Sequence, residues 1–529
     1  MENTKFFSNI KGNLFGGITA GIIALPLALA FGVASGLGAT AGLYGAIFVG
    51  FFAALFGGTP TQVSGPTGPM TVVVAGLVLL FPDNPSTIFM AIFLAGLIQI
   101  AISFTQLANL IKYVPYPVIS GFMTGIGVII ILLQLTPFFG MDYTGAPIEH
   151  IVYFVKHLDA INYQALILSI LTLLIVFFTP KKINEKVPSS LIALVLCTIF
   201  SVMMKFDVAT IGEIPRTFPS VKIGMIGFAE LKAILPAAFS LAILGCIDSL
   251  LTSLVADSIT KTKHNSRKEV FGQGLGNAIS GIFGGLAGAG ATMRTVVNIK
   301  AGATGNLSGV VHSLFLISII LFFAPLASQI PMAILSAILI KVGIDIVDYK
   351  YLKVIKFSPK SDLIVMIAVF LLTVLYDLIF AVGVGIVLSA LLFAVKVSKH
   401  FEVNLEDAGE LSDCTLDCKN GEVTVLKVNG IFFFGSTAQL VSKVEESFDS
   451  KAIVLDCSEL NSFDISAVFA LEDTILKLQD KDIKILLVLK NKRLAAKILK
   501  MGLEGIIAKE DIKFSVNQAV SRANFLIQN

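Results

Sequence analysis

The chain has 529 residues, 55% of them hydrophobic and only 14% charged, with a formal net charge of +3. That balance excludes a soluble globular protein and points to many membrane-spanning helices, each taking roughly 20 apolar residues. The small net charge gives no sign of a nucleic-acid partner.

From the N-terminus, the polar and basic MENTKFFSNIKGN leads into an apolar run from Leu14. It has no cleavage context, and apolar runs continue for most of the chain, so it reads as the cytoplasmic start of a first span rather than a signal peptide. Apolar runs follow near 14–34, 38–57, 68–82, 87–107, 116–138, 163–179, 188–204, 233–254, 270–288, 292–301, 308–328, 331–347, 362–377 and 379–398, fourteen in all. Near residue 400 the composition turns charged and alternating. We therefore expect a membrane domain over 1–399 and a soluble domain over 400–529. Trp is absent, so any aromatic belt rests on Tyr and Phe. The five cysteines are scattered; Cys414 and Cys418 form only a C-x3-C spacing and read as reduced thiols rather than a metal site.

Basic residues set the topology. With fourteen spans, the loops on the side of the termini carry Lys5 and Lys11, Lys112, Lys181 with Lys182 and Lys186, the KTKHNSRK run, Lys350 with Lys353, Lys356 and Lys360, then Lys396 and Lys399. The positive-inside rule makes both termini cytoplasmic, and moving the count by one span scrambles the pattern.

Two runs are too short to cross. At about 1.5 Å per residue, 68–81 rises roughly 21 Å and 292–301 roughly 15 Å, against a hydrocarbon core of about 30 Å. Each needs an extended lead-in, which survives at depth only where it is buried in protein or lines a cavity. The two resemble each other: FGGTPTQVSGPTGPMTVVV (56–74) and FGGLAGAGATMRTVVN (283–298) both read FGG, then small residues, then TVV. With seven spans in each half, the copies are inverted, and matched broken helices in inverted repeats point to a midplane transport site.

A helix that starts inside the membrane presents free N–H groups and a positive dipole end. Gly288, Ala289, Gly290 and Ala291 let the backbone approach a small ligand, and the other copy offers Ser64, Gly65, Pro66, Thr67, Gly68 and Pro69. An anion between the two helix starts would meet backbone donors from both sides and the Thr67 hydroxyl. In GCIDSLLTSLVAD, Asp248 lies inside an apolar span with Thr252 four residues on, on the same face. A lone intramembrane carboxylate is a functional hypothesis by default. With a hydroxyl and backbone carbonyls it suits sodium; a proton is the rival. Arg294 either raises the potential for an anion or neutralises a nearby acid. Asp377 reads as a turn or cap residue, and Lys341 with Asp345 as interfacial.

These residues carry a resemblance. VSGPTGPM and the ATMRT segment make the chain similar to SulP-family anion transporters with a C-terminal STAS domain. The resemblance implies a seven-plus-seven inverted repeat, divided into core and gate subdomains, plus a small α/β domain. GGITAGIIALPLALAFGVASGLG, with IDSLLTSLVAD through GAGATMRTVVN, most resembles the sodium-dependent bicarbonate symporters. Leu27 stands where many family members have Gln, and Asp248 where proton-coupled members often have Glu. The resemblance implies sodium at Asp248, Thr252, Gly290, Ala291 and Thr292, and the anion at Thr67, Gly68, Ala291 and Thr292, with Arg294 tuning the field. It implies an elevator movement, a bacterial-type inner membrane and a homodimer through the STAS domain, with no cofactor beyond the coupling ion. Two other functions remain open: a proton-coupled sulfate or dicarboxylate carrier, and an anion sensor signalling through the STAS domain. An enzyme is not expected, since no nucleophile constellation is present.

In the tail, VTVLKV, IFFFGS, AIVLDC and IKILLVL read as strands alternating with helices from about Ala438 and Ile465, with IFFF in the core. Related STAS domains in sigma-factor control are phosphorylated at a Ser directly after an Asp; here Ile465 follows Asp464 and Ser466 comes next, so that control is not expected.

Overall fold

The computed structural model describes residues 9–106, 114–184, 187–214, 219–224, 226–376, 378–399, 401–407, 422–460, 464–489 and 492–528. Lys5, Lys112, Lys186, Asp377, Cys414 and Cys418 lie outside the described residues.

Each of the fourteen apolar runs forms a helix. They are α1 (Ile10–Ala34), α2 (Ala39–Phe56), α3 (Gly68–Leu80), α4 (Pro85–Ser103), α5 (Tyr116–Leu133), α6 (Tyr163–Phe178) and α7 (Ser189–Met203). The second half gives α8 (Phe228–Thr260), α9 (Ser266–Ile282), α10 (Thr292–Lys300), α11 (Leu307–Ala327), α12 (Met332–Ile346), α13 (Lys360–Leu375) and α14 (Leu378–Ser398). Seven helices among the described residues are long and apolar enough to cross a bilayer unaided. The half-helices α3 and α10 are not among them.

The two halves are interleaved. Helices α1–α4 pack with α8–α11 into one subdomain, the core, and α5–α7 pack with α12 and α13 into another, the gate. Within the core, α4 and α9 touch almost backbone to backbone. A Cβ at Gly281 would lie 2.6 Å from the Phe93 nitrogen, and one at Gly96 would lie 2.7 Å from the Ala278 Cα. Small residues are what allow helices to approach this closely where lipid supplies no hydrophobic drive. Lys341 and Asp345 form an i,i+4 ion pair on the partly exposed face of α12.

The chain divides into two compact units, Met1–Ile386 and Val387–Asn529. In the second, β3 (Glu402–Asp407), β4 (Val423–Asn429), β5 (Ala452–Cys457), β6 (Lys484–Leu489) and β7 (Ile512–Lys513) form one sheet in sequence order. Strand β3 is antiparallel to β4, and the rest are parallel. Leu426, Ile453 and Leu487 pack on one face with α15 (Thr437–Glu445) and α16 (Ile465–Gln479). Val425, Val454 and Leu486 pack on the other with α18 (Val516–Gln528), which follows α17 (Lys492–Ile498). Strand β5, central and covered on both faces, is buried at every position, as a parallel strand of this kind must be.

One expectation fails here. IFFFGS is a turn, not a strand. Gly430 at φ +105° ends β4, and the Ser436 hydroxyl accepts the Phe433 N–H at 3.0 Å. Only Phe432 enters the core; Ile431 and Phe434 are exposed. Asp464 caps α16, accepting the Ala467 N–H at 2.7 Å and the Phe434 N–H at 3.0 Å.

Gly96→Val should drive a branched side chain into the α9 backbone and cost about 1–3 kcal/mol or more. It should lower the unfolding midpoint of the detergent-solubilised protein; an unchanged midpoint would contradict the close α4–α9 contact.

Candidate functional site

The two FGG-to-TVV segments meet. Ahead of α3, β1 (Ser64–Pro66) pairs antiparallel with β2 (Gly288–Gly290) ahead of α10, with Ser64 opposite Gly290 and Pro66 opposite Gly288. This short ribbon lies inside the core, and every residue of it is buried. Because the strands are antiparallel, the helices that follow leave the ribbon in opposite directions, with their N-termini beside it.

Two polar stripes hold the ribbon. The first is on α9, where Glu269, Gln273 and Asn277 recur at intervals of four and are all buried. Gln273 donates to the Ser64 hydroxyl at 2.6 Å. Asn277 takes both backbone groups of Gly288, accepting its N–H at 2.8 Å and donating to its carbonyl at 2.9 Å. The second is on α10. Arg294 donates to the Pro66 carbonyl at 2.7 Å, Thr295 accepts the Val63 N–H at 3.1 Å, and Asn298 donates to the Thr61 carbonyl at 2.8 Å. Irregular backbone is tolerated at membrane depth only when its polar groups are satisfied in this way.

The helix starts are different. Neither Thr67, the N-cap of α3, nor Ala291, the N-cap of α10, makes a side-chain capping bond. The first intrahelical bonds run from Thr71 N to Thr67 O (3.0 Å) and from Thr295 N to Ala291 O (2.9 Å). The N–H groups of each first turn are therefore left without a cap, the arrangement that receives anions. The Thr67 hydroxyl is buried and has no hydrogen-bond partner at ordinary distance; it faces the Asp248 carboxylate.

Asp248 sits mid-way along α8, partly exposed, at the wall of a narrow cleft shared with Pro69, Val118, Phe122, Leu244 and Leu251. One turn on, Thr252 donates to the Gly290 carbonyl at 3.0 Å, and its oxygen lies 2.7 Å from the Thr292 hydroxyl. Ser249 accepts the Gly290 N–H at 2.9 Å. The structure thus gathers Thr67, Gly68, Asp248, Thr252, Gly290, Ala291 and Thr292 around the two helix starts. A carboxylate, two hydroxyls and a carbonyl supply the oxygen donors a hard cation takes, beside N–H groups suited to an anion.

Arg294 stands apart from Asp248. It is 1% exposed and makes no ion pair among the described residues, and its Nε and Nη1 have no partner. Its bond to Pro66, one residue before the α3 N-cap, puts its charge behind that uncapped helix start. Of the residues that shape the site, the sequence reading misses Glu269, Gln273 and Asn277, with Gln62, which donates to Glu269 at 2.7 Å, and Gln99, which accepts from Asn277 at 2.9 Å. The spacing of four on α9 is the signal that would have found three of them.

Opposed uncapped half-helices across a membrane-buried ribbon define a helical transporter with a site suited to small anions. Residues 10–369 match the sulfate permease family and 418–519 the STAS domain, and the chain belongs to that family. It is 42% identical to the bicarbonate transporter BicA of Synechocystis sp., covering 81% of this chain and 79% of the relative. It is 31% identical to the putative sulfate transporter YvdB of Bacillus subtilis, covering 82% and 83%. The solved transmembrane domain of a cyanobacterial BicA matches at 47% identity with a TM-score of 0.68, covering 71% of this chain and 98% of that one. Murine Solute Carrier 26 family member A9, in its inward-facing state, shares the fold at 21% identity and a TM-score of 0.84, covering 98% and 92%. The protein is a multi-pass membrane transporter of inorganic anions and not an enzyme.

Thr295→Val keeps the shape but leaves the buried Val63 N–H unpaired, a loss of about 1–3 kcal/mol. The unfolding midpoint in detergent should fall, and a midpoint equal to wild type would mean that the bond does not hold the ribbon.

Proposed function

We propose that the protein imports bicarbonate together with sodium by an elevator-type movement of the core against the gate. The observation that carries this reading is the oxygen set of Asp248, Thr252, Thr292 and the Gly290 carbonyl, directly beside two uncapped helix N-termini. Sodium would sit with Asp248, Thr252 and the backbone of Gly290, Ala291 and Thr292. Bicarbonate would sit between the α3 and α10 starts, held by N–H groups at Gly68 and Thr292, the Ala291 backbone and the Thr67 hydroxyl. Arg294 tunes the potential from behind Pro66. The cation neutralises Asp248, and one sodium with one bicarbonate moves no net charge.

The similarity to bicarbonate transporters supports the anion, and the Lys-rich loops on one side support cytoplasmic termini in a bacterial-type inner membrane. In this reading the transport part spans 1–399 and the STAS part 400–529. The homodimer through the STAS part is supported by the family resemblance alone. The likeness to a putative sulfate transporter keeps a proton-coupled sulfate carrier as the competing outcome.

The test is uptake of labelled bicarbonate into vesicles with sodium present or replaced by potassium. Sodium should stimulate uptake, and Asp248→Asn should reduce the stimulated rate roughly tenfold or more, since loss of a ligand costs at least what loss of an outer-shell partner does. Sodium-independent bicarbonate uptake would sink the coupling. Sulfate uptake driven by a proton gradient, without bicarbonate uptake, would sink the substrate as well.

A further inference from the structure

The core holds a second carboxylate that the transport reading does not use. Glu269 on α9 is 1% exposed. Its Oε2 accepts the Gly58 N–H at 3.0 Å, and its Oε1 accepts from Gln62 Nε2 at 2.7 Å and Gln273 Nε2 at 2.8 Å. Each of these three is an N–H donor, and the Thr59 hydroxyl and backbone also face the carboxylate. That surrounding suits an ionised acceptor and leaves no place for a cation among the donors.

The bond from Glu269 settles how the Gln62 amide lies. Its nitrogen turns to Glu269, and its oxygen accepts the Ser253 hydroxyl on α8 at 3.0 Å. Ser253 also lies 2.7 Å from the Thr59 hydroxyl. Held at both ends, the Gln62 side chain lies flat against Gly290, where an added Cβ would come within 2.7 Å of the Gln62 Cδ. The Gly290 carbonyl is the one that receives Thr252, and its N–H is tied to Ser249. The contacts therefore run from Glu269 through Gln62 to the backbone carbonyl of the cation site.

We propose that Glu269 is a positioning residue for the coupling cation, acting through Gln62 to fix the Gly290 carbonyl against α8. The inference rests on the sodium-symport reading of that site. Replacing the carboxylate by an amide leaves one acceptor oxygen: with the new nitrogen toward Gln62 and Gln273 one of those amides must turn over, and with it toward Gly58 it meets another N–H donor and the side chain must shift. If Gln62 turns, its oxygen leaves Ser253 and the support under Gly290 changes shape. The cation site loosens while the anion-facing helix starts remain.

The experiment uses full-length protein in vesicles, with sodium half-saturation and maximal bicarbonate uptake measured separately. Glu269→Gln should raise the sodium half-saturation roughly tenfold, as loss of an outer-shell partner does, and leave the rate at saturating sodium little changed. Gln62→Ala should do the same. The double variant should be no worse than the poorer single one, because both act on one contact path. Glu269→Asp, which keeps an anionic acceptor, should recover part of the loss. Multiplying effects in the double variant would overturn the proposal. So would a fall in maximal rate with sodium half-saturation unchanged, which is what a merely structural role predicts. If Glu269→Gln does not fold, Gln62→Ala decides alone: an unshifted sodium half-saturation overturns the proposal. A wild-type protein without sodium stimulation would overturn the symport reading and this inference with it; a stimulated wild type with unshifted variants overturns this inference only.

Discussion

Everything in the membrane unit depends on one awkward piece of backbone. The ribbon of β1 and β2 crosses the centre of the core as six extended residues, without the internal hydrogen bonds of a helix. In a hydrocarbon interior each unsatisfied peptide group costs several kcal/mol. The sequence meets that cost with polar residues on two flanking helices, Gln273 and Asn277 on α9 and Arg294, Thr295 and Asn298 on α10. Glycine and alanine in β2 let those side chains and α8 come close; a Cβ at Gly288 would meet the Gly65 backbone at 2.5 Å. With the ribbon satisfied, the N–H groups of the two helix starts remain uncapped, as do Arg294 Nε and Nη1 behind the α3 start.

The two carboxylates of the core show how placement divides roles. Glu269 is committed to three N–H donors and holds structure. Asp248 lies at a cleft wall next to an unpartnered hydroxyl, with further oxygens one turn away. A carboxylate surrounded by donors is a fixed acceptor; one beside hydroxyl and carbonyl oxygens has the chemistry to accept a hard cation. Arg294, the lone arginine of the half-helix, belongs to the ribbon as much as to the site: one nitrogen serves Pro66, and its charge lies behind the α3 start.

Hydropathy and spacing carried much of this. All fourteen helices, the two short ones and their matched FGG-to-TVV segments are legible because apolar length and small-residue runs are local properties. Asp248 and Thr252 are legible as a pair for the same reason. What stays hidden is non-local. No spacing tells that Ser64 pairs with Gly290, or that Arg294 turns to Pro66 rather than to Asp248. Glu269 hides because KTKHNSRK precedes it, and a charged run reads as a solvated loop; only its register with Gln273 and Asn277 marks it as buried. IFFFGS misleads in the other direction: its apolar run reads as a core strand, whereas Gly430 and the Ser436 hydroxyl turn the chain and leave Phe434 outside.

The most direct measurement is an experimental structure of the full-length protein with saturating sodium and bicarbonate. The account predicts an anion within about 3 Å of N–H groups at the starts of both α3 and α10, with a cation between Asp248, Thr252 and the Gly290 carbonyl. An anion bound away from both helix starts, or Asp248 paired with Arg294 and no cation beside it, would contradict it.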